Sequence, residues 1–144
     1  MKKMHLFMVM LLIAMVPVLF NSCNQPEPDD PNYAKLIVGE WDMTRYEWWD
    51  MEYEGEEEIG SAYFDEEYWI WEFDGNKINM YIEGDYDGSY RYEIEDNKLY
   101  TEYATYYEGQ YFKITTLTKN KLVLELTYRD EDVTAKYTYI FKRI

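Results

Sequence analysis

The side chains that could carry chemistry are few and unevenly placed. The only histidine, His5, and the only cysteine, Cys23, stand near the start of a 144-residue sequence, and from residue 24 onward there is neither imidazole nor thiol. A Ser/His/Asp triad, a Cys/His nucleophile, a Cys/His zinc site and a disulfide framework are therefore excluded, because the groups they need are missing. Carboxylates are abundant: 29 Asp and Glu stand against 14 Lys and Arg, a net charge of -15. A pair of carboxylates could do the acid and base work of glycoside hydrolysis. Among so many, close pairs arise by chance, and no spacing singles out an acid or a base, so the chain reads as non-enzymatic. Glu83-Gly84-Asp85-Tyr86-Asp87-Gly88 sets carboxylates at alternate positions before a glycine, as in the first half of a calcium loop. Arg91 and Ile94 then occupy the places of the later ligands, so the segment reads as a solvated hairpin turn. Neither a metal nor a cofactor is expected.

The one lone thiol has a better use. Met1 to Ser22 begins with Lys2 and Lys3, continues through the apolar stretch Leu6 to Phe20 and ends in small or polar residues, the layout of an export signal. The stretch is short for a membrane span, and Pro17 interrupts it. Leu19-Phe20-Asn21-Ser22-Cys23 resembles a bacterial lipobox, which implies diacylation of Cys23 and a bilayer as its partner. Several acyl chains, at about 0.8 kcal/mol per buried CH₂, hold a protein on a membrane without a spanning helix. Loss of Lys2 and Lys3 with the leader takes the net charge to -17, which repels nucleic acid and anionic headgroups. Residues 23–32 hold three of the four prolines and read as an extended tether. Glu27, Asp29 and Asp30 are similar to the surface-export signals of Bacteroides-group lipoproteins. The expected location is the cell envelope, lipid-anchored to the outer membrane, on its periplasmic or its outer face.

Residues 33–144 form the third segment, a proline-free domain with aromatic residues at 19 % of the whole chain. Such a content excludes disorder. Apolar and polar residues alternate between Gly, Asn and Asp punctuation, the pattern of consecutive antiparallel strands. Trp69, Trp71 and Phe73 share a face; Asp74-Gly75-Asn76 turns the chain, and Ile78, Met80 and Ile82 follow on one face. Further strands are expected at Tyr90 to Glu95, Lys98 to Tyr106, Gln110 to Thr118, Lys121 to Arg129 and Val133 to Arg143. With an opening strand at Glu40 to Met51 the count is about eight. Asp50 to Glu67, rich in glutamate from Glu52 to Glu58, is expected to be the longest loop. No helical period covers an open sheet, so the edges must pair with each other. The expectation is all-β: an eight-stranded antiparallel up-and-down barrel, with a two-sheet sandwich as the competing arrangement.

Gly39-Glu40-Trp41 ahead of these strands resembles the Gly-x-Trp of lipocalin-like barrels. The run Tyr111 to Leu124 and the ending Tyr139-Ile140-Phe141-Lys142-Arg143 are similar to lipocalin-like lipoproteins of the Bacteroides group. The resemblance implies that Trp41 closes one barrel end and that Arg143 covers it by cation-π contact. It also implies that the acidic first loop gates the mouth.

An eight-stranded barrel is either filled by its own side chains or holds one small ligand. About half of the inward candidates are aromatic, so a small aromatic-walled pocket or a filled core is expected. Trp69, Trp71, Tyr90, Tyr92, Tyr137 and Tyr139 are the pocket candidates, with the four tyrosine hydroxyls directed to a wet mouth or to one another. The expected function is binding of a small apolar or aromatic-stacking molecule at that mouth. The alternative is an interaction module for a protein or glycan, built from Tyr46, Trp48, Trp49, Tyr68, Tyr81 and Tyr100 on the outer face.

Overall fold

Strict alternation with short Gly and Asn turns yields strands that pair with their sequence neighbours. The computed structural model describes residues 32–51, 57–106, 110–129 and 133–144; the leader, Cys23 and most of the tether lie outside the described residues. A one-turn helix α1 (Tyr33–Leu36) precedes β1 (Gly39–Met51), β2 (Glu57–Tyr63), β3 (Trp69–Phe73), β4 (Lys77–Ile82), β5 (Asp85–Glu95) and β6 (Lys98–Thr101). A second short helix, α2 (Glu102–Tyr106), leads into β7 (Phe112–Leu117), β8 (Lys121–Arg129) and β9 (Thr134–Arg143). Every neighbouring pair is antiparallel, and β9 returns to pair with β1 from Trp41↔Arg143 to Met51↔Thr134. The sheet is closed, so neither β1 nor β9 is left as a free edge.

Strands β2 and β3 lie end to end along one edge of β1. The first half of β1 pairs with β3, Gly39↔Phe73 to Asp42↔Ile70, and the second half with β2, Arg45↔Tyr63 to Met51↔Glu57. The wall is thus eight strands around, the all-β up-and-down barrel that the alternation predicts. The two-sheet sandwich does not occur.

Three local expectations fail, each for a physical reason. Asp50 to Glu67 is not one long loop, because β1 runs on to Met51 and Glu57–Tyr63 forms β2. That strand hides from a hydropathy reading: its bulky Ile59 and Tyr63 are exposed while Gly60 lies against the Trp48 ring. Lys98 to Tyr106 is not one strand either, since β6 stops at Thr101 and the chain coils into α2, burying Tyr103 and Ala104. A single helical turn is too short to show a 3.6-residue period. Finally, β1 carries a bulge at Thr44, between the pairs Met43↔Phe141 and Arg45↔Ile140, and the Thr44 hydroxyl donates to the Ile140 carbonyl at 3.1 Å. One extra residue reverses the alternation beyond it. Tyr46 and Trp48, expected outside, turn inward; Tyr46 packs against the core.

The Glu83-Gly84 segment is a hairpin turn. Both residues have positive φ, 52° and 83°, between the paired Ile82 and Asp85, as a type I′ turn requires. Among the described residues no three His, Cys, Asp or Glu side chains converge as a metal site.

Candidate functional site

The barrel has two unlike ends. At one end the β3–β4, β5–β6 and β7–β8 turns gather around the start of β1. Asn32 caps α1 by accepting the Lys35 N–H at 3.1 Å, and the turn that follows carries buried Ile37 under the barrel. The Trp41 indole donates to the Ile37 carbonyl at 2.7 Å. The Arg143 guanidinium lies 4.2 Å from the centre of the Trp41 ring and donates to the carbonyls of Val38 and Lys119, each at 2.8 Å, and of Leu36. Gly39 is required here: its φ is +129°, and a Cβ would sit 2.6 Å from Arg143 Nη1. A cation stacked on an indole and bonded to three carbonyls seals this end.

The middle of the barrel is solid. Trp71 is fully buried, with the rings of Phe141 at 5.1 Å, Tyr103 at 5.2 Å, Tyr139 at 5.7 Å and Phe112 at 5.9 Å around it. Tyr103, delivered by α2, also meets Tyr90 at 5.1 Å. No deep apolar tunnel runs through this layer of packed rings.

Toward the opposite end the wall loosens. Tyr46 lies 5.0 Å from Tyr139, stacks on Tyr137 at 6.0 Å and 7°, and meets Trp48 at 5.8 Å. Trp69 is half-buried, with Phe64 edge-on at 5.8 Å. Asp50 lies two residues beyond Trp48, the cross-strand partner of Tyr137; burial, and then the charge of Asp50, push the Tyr137 hydroxyl above its ordinary range. Among the described residues on the inner side of this half, Trp69 Nε1, Trp71 Nε1 and Asp50 Oδ1 are buried without a hydrogen-bond partner; Arg45 Nε, on the outer side, is another such atom.

Of the six pocket candidates, Trp71 and Tyr139 stand at the centre, and Trp69, Tyr90 and Tyr137 lie around or above it. Tyr92 does not join them. Its ring packs on Phe73 at 5.3 Å, its N–H donates to Asn76, and burial, offset by a Gly75 backbone hydrogen bond and followed by the charge of Asp74, raises its pKa. It therefore sits by the β3–β4 turn at the sealed end. Sequence reasoning misses Tyr46 and Trp48 because a bulge gives no hydropathy mark. It misses Tyr103 because α2 is too short, and Asp50 because the same bulge turns it inward at the point where strand and loop meet in the sequence.

The expected outer patch is correspondingly smaller. Trp49 stays outside, where its indole donates to Glu57; Tyr81 packs on Tyr86 at 5.9 Å and Tyr100 on Tyr111 at 5.5 Å. Two open grooves lie on the outer wall, one along Tyr111, Lys113, Glu125 and Arg129, the other along Arg45, Trp49, Ile59 and Lys136.

A comparison of sequences bears on the closed eight-stranded wall independently. The family model of the lipocalin-like domain matches residues 37–124, more than half of the chain. The chain belongs to this family. No curated protein matches it. The match ends within β8, so the closing strand β9 and Arg143 extend the lipocalin-like domain to the geometry described above.

Proposed function

We propose that the protein is a lipid-anchored envelope protein whose barrel binds a small, largely apolar or aromatic-stacking molecule in the open half, above Trp71. The observation that carries this reading is the pair of buried indole N–H groups, on Trp69 and Trp71, that meet no acceptor. An unmet buried donor costs about 1–3 kcal/mol, and folded proteins leave few of them. A guest with one acceptor atom and an apolar body would satisfy a donor and bury the rings of Trp48, Tyr46 and Tyr137. The wall supplies apolar area and a few polar groups, the usual make-up of a small-molecule site. Binding without turnover is the activity proposed.

The anchor rests on the lipobox-like Leu19 to Cys23 and on the proline-rich tether that follows it. The alternative, a surface module acting through outer aromatics, loses Tyr46 and Trp48 to the interior and is the weaker reading.

Two measurements test the proposal. Titration of the chain from Asn24 onward with N-phenyl-naphthylamine should give saturable fluorescence enhancement at one site; a linear, unsaturable rise would contradict it. Cys23→Ala should abolish incorporation of labelled fatty acid and release the protein from the membrane fraction. Retained labelling would contradict the anchor.

A further inference from the structure

The open half is chemically one-sided. Beyond the Thr44 bulge, Tyr46, Trp48 and Asp50 follow each other on the inner face of β1, opposite Tyr139, Tyr137 and Ala135 of β9. The Asp50 carboxylate faces this interior, with one oxygen shielded from water and unpaired. Its cross-strand neighbour Ala135 is small and buried, so no side chain from β9 reaches over to neutralise it. A shielded carboxylate without a counter-charge is costly, and removing it from water further would cost more unless a cation comes with it. The faces of Tyr46, Tyr137 and Trp48 beside it carry the negative side of the ring quadrupole and attract cations in the same way.

Nothing on the described inner wall of this half supplies a positive charge. Arg129 reaches this end on β8, but it lines the outer groove with Lys113 and Glu125. Lys77, Lys98, Lys119, Lys121 and Arg143 belong to turns or strand ends at the sealed end. On the other side of Asp50 the residue paired with it is Glu58 of β2, a second carboxylate. Neighbouring carboxylates raise the local concentration of cations and oppose anions.

Resting on the reading that this half binds a small molecule, we propose that the ligand is an organic cation. It would be a primary or quaternary ammonium on an apolar or aromatic body, with its charged head between Asp50 and the rings of Tyr46, Trp48 and Tyr137. The body lies deeper, toward Trp69 and Trp71.

Calorimetric titration of the full-length chain in a nonionic detergent, with three probes of like size, tests this: phenethylamine, phenethyl alcohol and hydrocinnamate. The amine should bind about tenfold or more tighter than the alcohol, a difference of about 1.4 kcal/mol, and the carboxylate weakest. High salt should weaken the amine and leave the alcohol unchanged. Asp50→Asn, which keeps the side-chain shape, should lower amine affinity to that of the alcohol; if this variant fails to fold, the salt series on the unaltered chain decides. Equal affinity for all three probes, with no salt dependence, would overturn the cation inference and leave the binder reading standing. Absence of saturable heat with all three would overturn both.

Discussion

At the scale of single residues, Arg143 does most. One guanidinium covers the Trp41 ring and donates to carbonyls from α1, from the approach to β1 and from the β7–β8 turn. These carbonyls come from parts of the chain remote in sequence, so the side chain ties the last strand to the first. Arg143→Met keeps the aliphatic cover but removes the cation-π contact and strands three acceptors. The expected loss is about 2–4 kcal/mol, read as a lower urea midpoint. An unchanged midpoint would show that the plug contributes nothing. Trp41 and Arg143 are legible in the sequence because a motif and strand parity both point to them. Gly39 is legible as part of that motif, though the reason for it, an approaching guanidinium, is visible only in the fold. Asp50 and Tyr46 are not legible, since their inward orientation depends on one extra residue upstream.

At the scale of elements, the strands that could be read are those whose inward side chains are all large. Trp69, Trp71 and Phe73 with Ile78 and Met80 line the filled middle, where packing enforces alternation. Strand β2 faces a place already occupied: a Cβ on Gly60 would lie 2.1 Å from the Trp48 ring. Its inward residues are therefore small and its pattern is lost. Its link to β3 has a structural task of its own. Residues 64–68 fold over the outer face of β1, where the Glu67 N–H donates to buried Asp42 at 3.0 Å and Lys142 bridges Glu66 at 2.8 Å and Asp42 at 3.6 Å. The hydrogen bond and charge of Lys142 lower the Glu66 pKa; the bond to Glu66 in turn raises that of Lys142. Because the folded pKa of Glu66 is depressed, its contribution is present above the ordinary glutamate value and is lost as pH falls through the lowered one. Urea titrations of the native chain and of Glu66→Gln should therefore differ at neutral pH and converge in acid. A difference that persists at the acid end would contradict the pairing.

At the scale of the whole molecule, closure by β1 and β9 separates two environments along one axis. The sealed end holds Arg143 over Trp41, the middle is packed with rings, and beyond them the Asp50 carboxylate follows Tyr46 and Trp48 on the inner face of β1. The barrel could be read from the sequence because edges must be paired and no helix was available to cover them. How full it is could not, since ring packing depends on rotamers and on α2. The central claim is that the half above Trp71 receives a guest, and the five tryptophans report on it directly. The Trp41 indole is bonded to Ile37 at the sealed end and the Trp49 indole to Glu57 outside, whereas Trp69 and Trp71 carry unmet N–H groups inside. In a proton–nitrogen correlation spectrum titrated with phenethylamine, the indole signals of Trp48, Trp69 and Trp71 should shift saturably while those of Trp41 and Trp49 stay in place. Movement of Trp49 or Trp41 with the other three unmoved would place the ligand elsewhere and contradict the account.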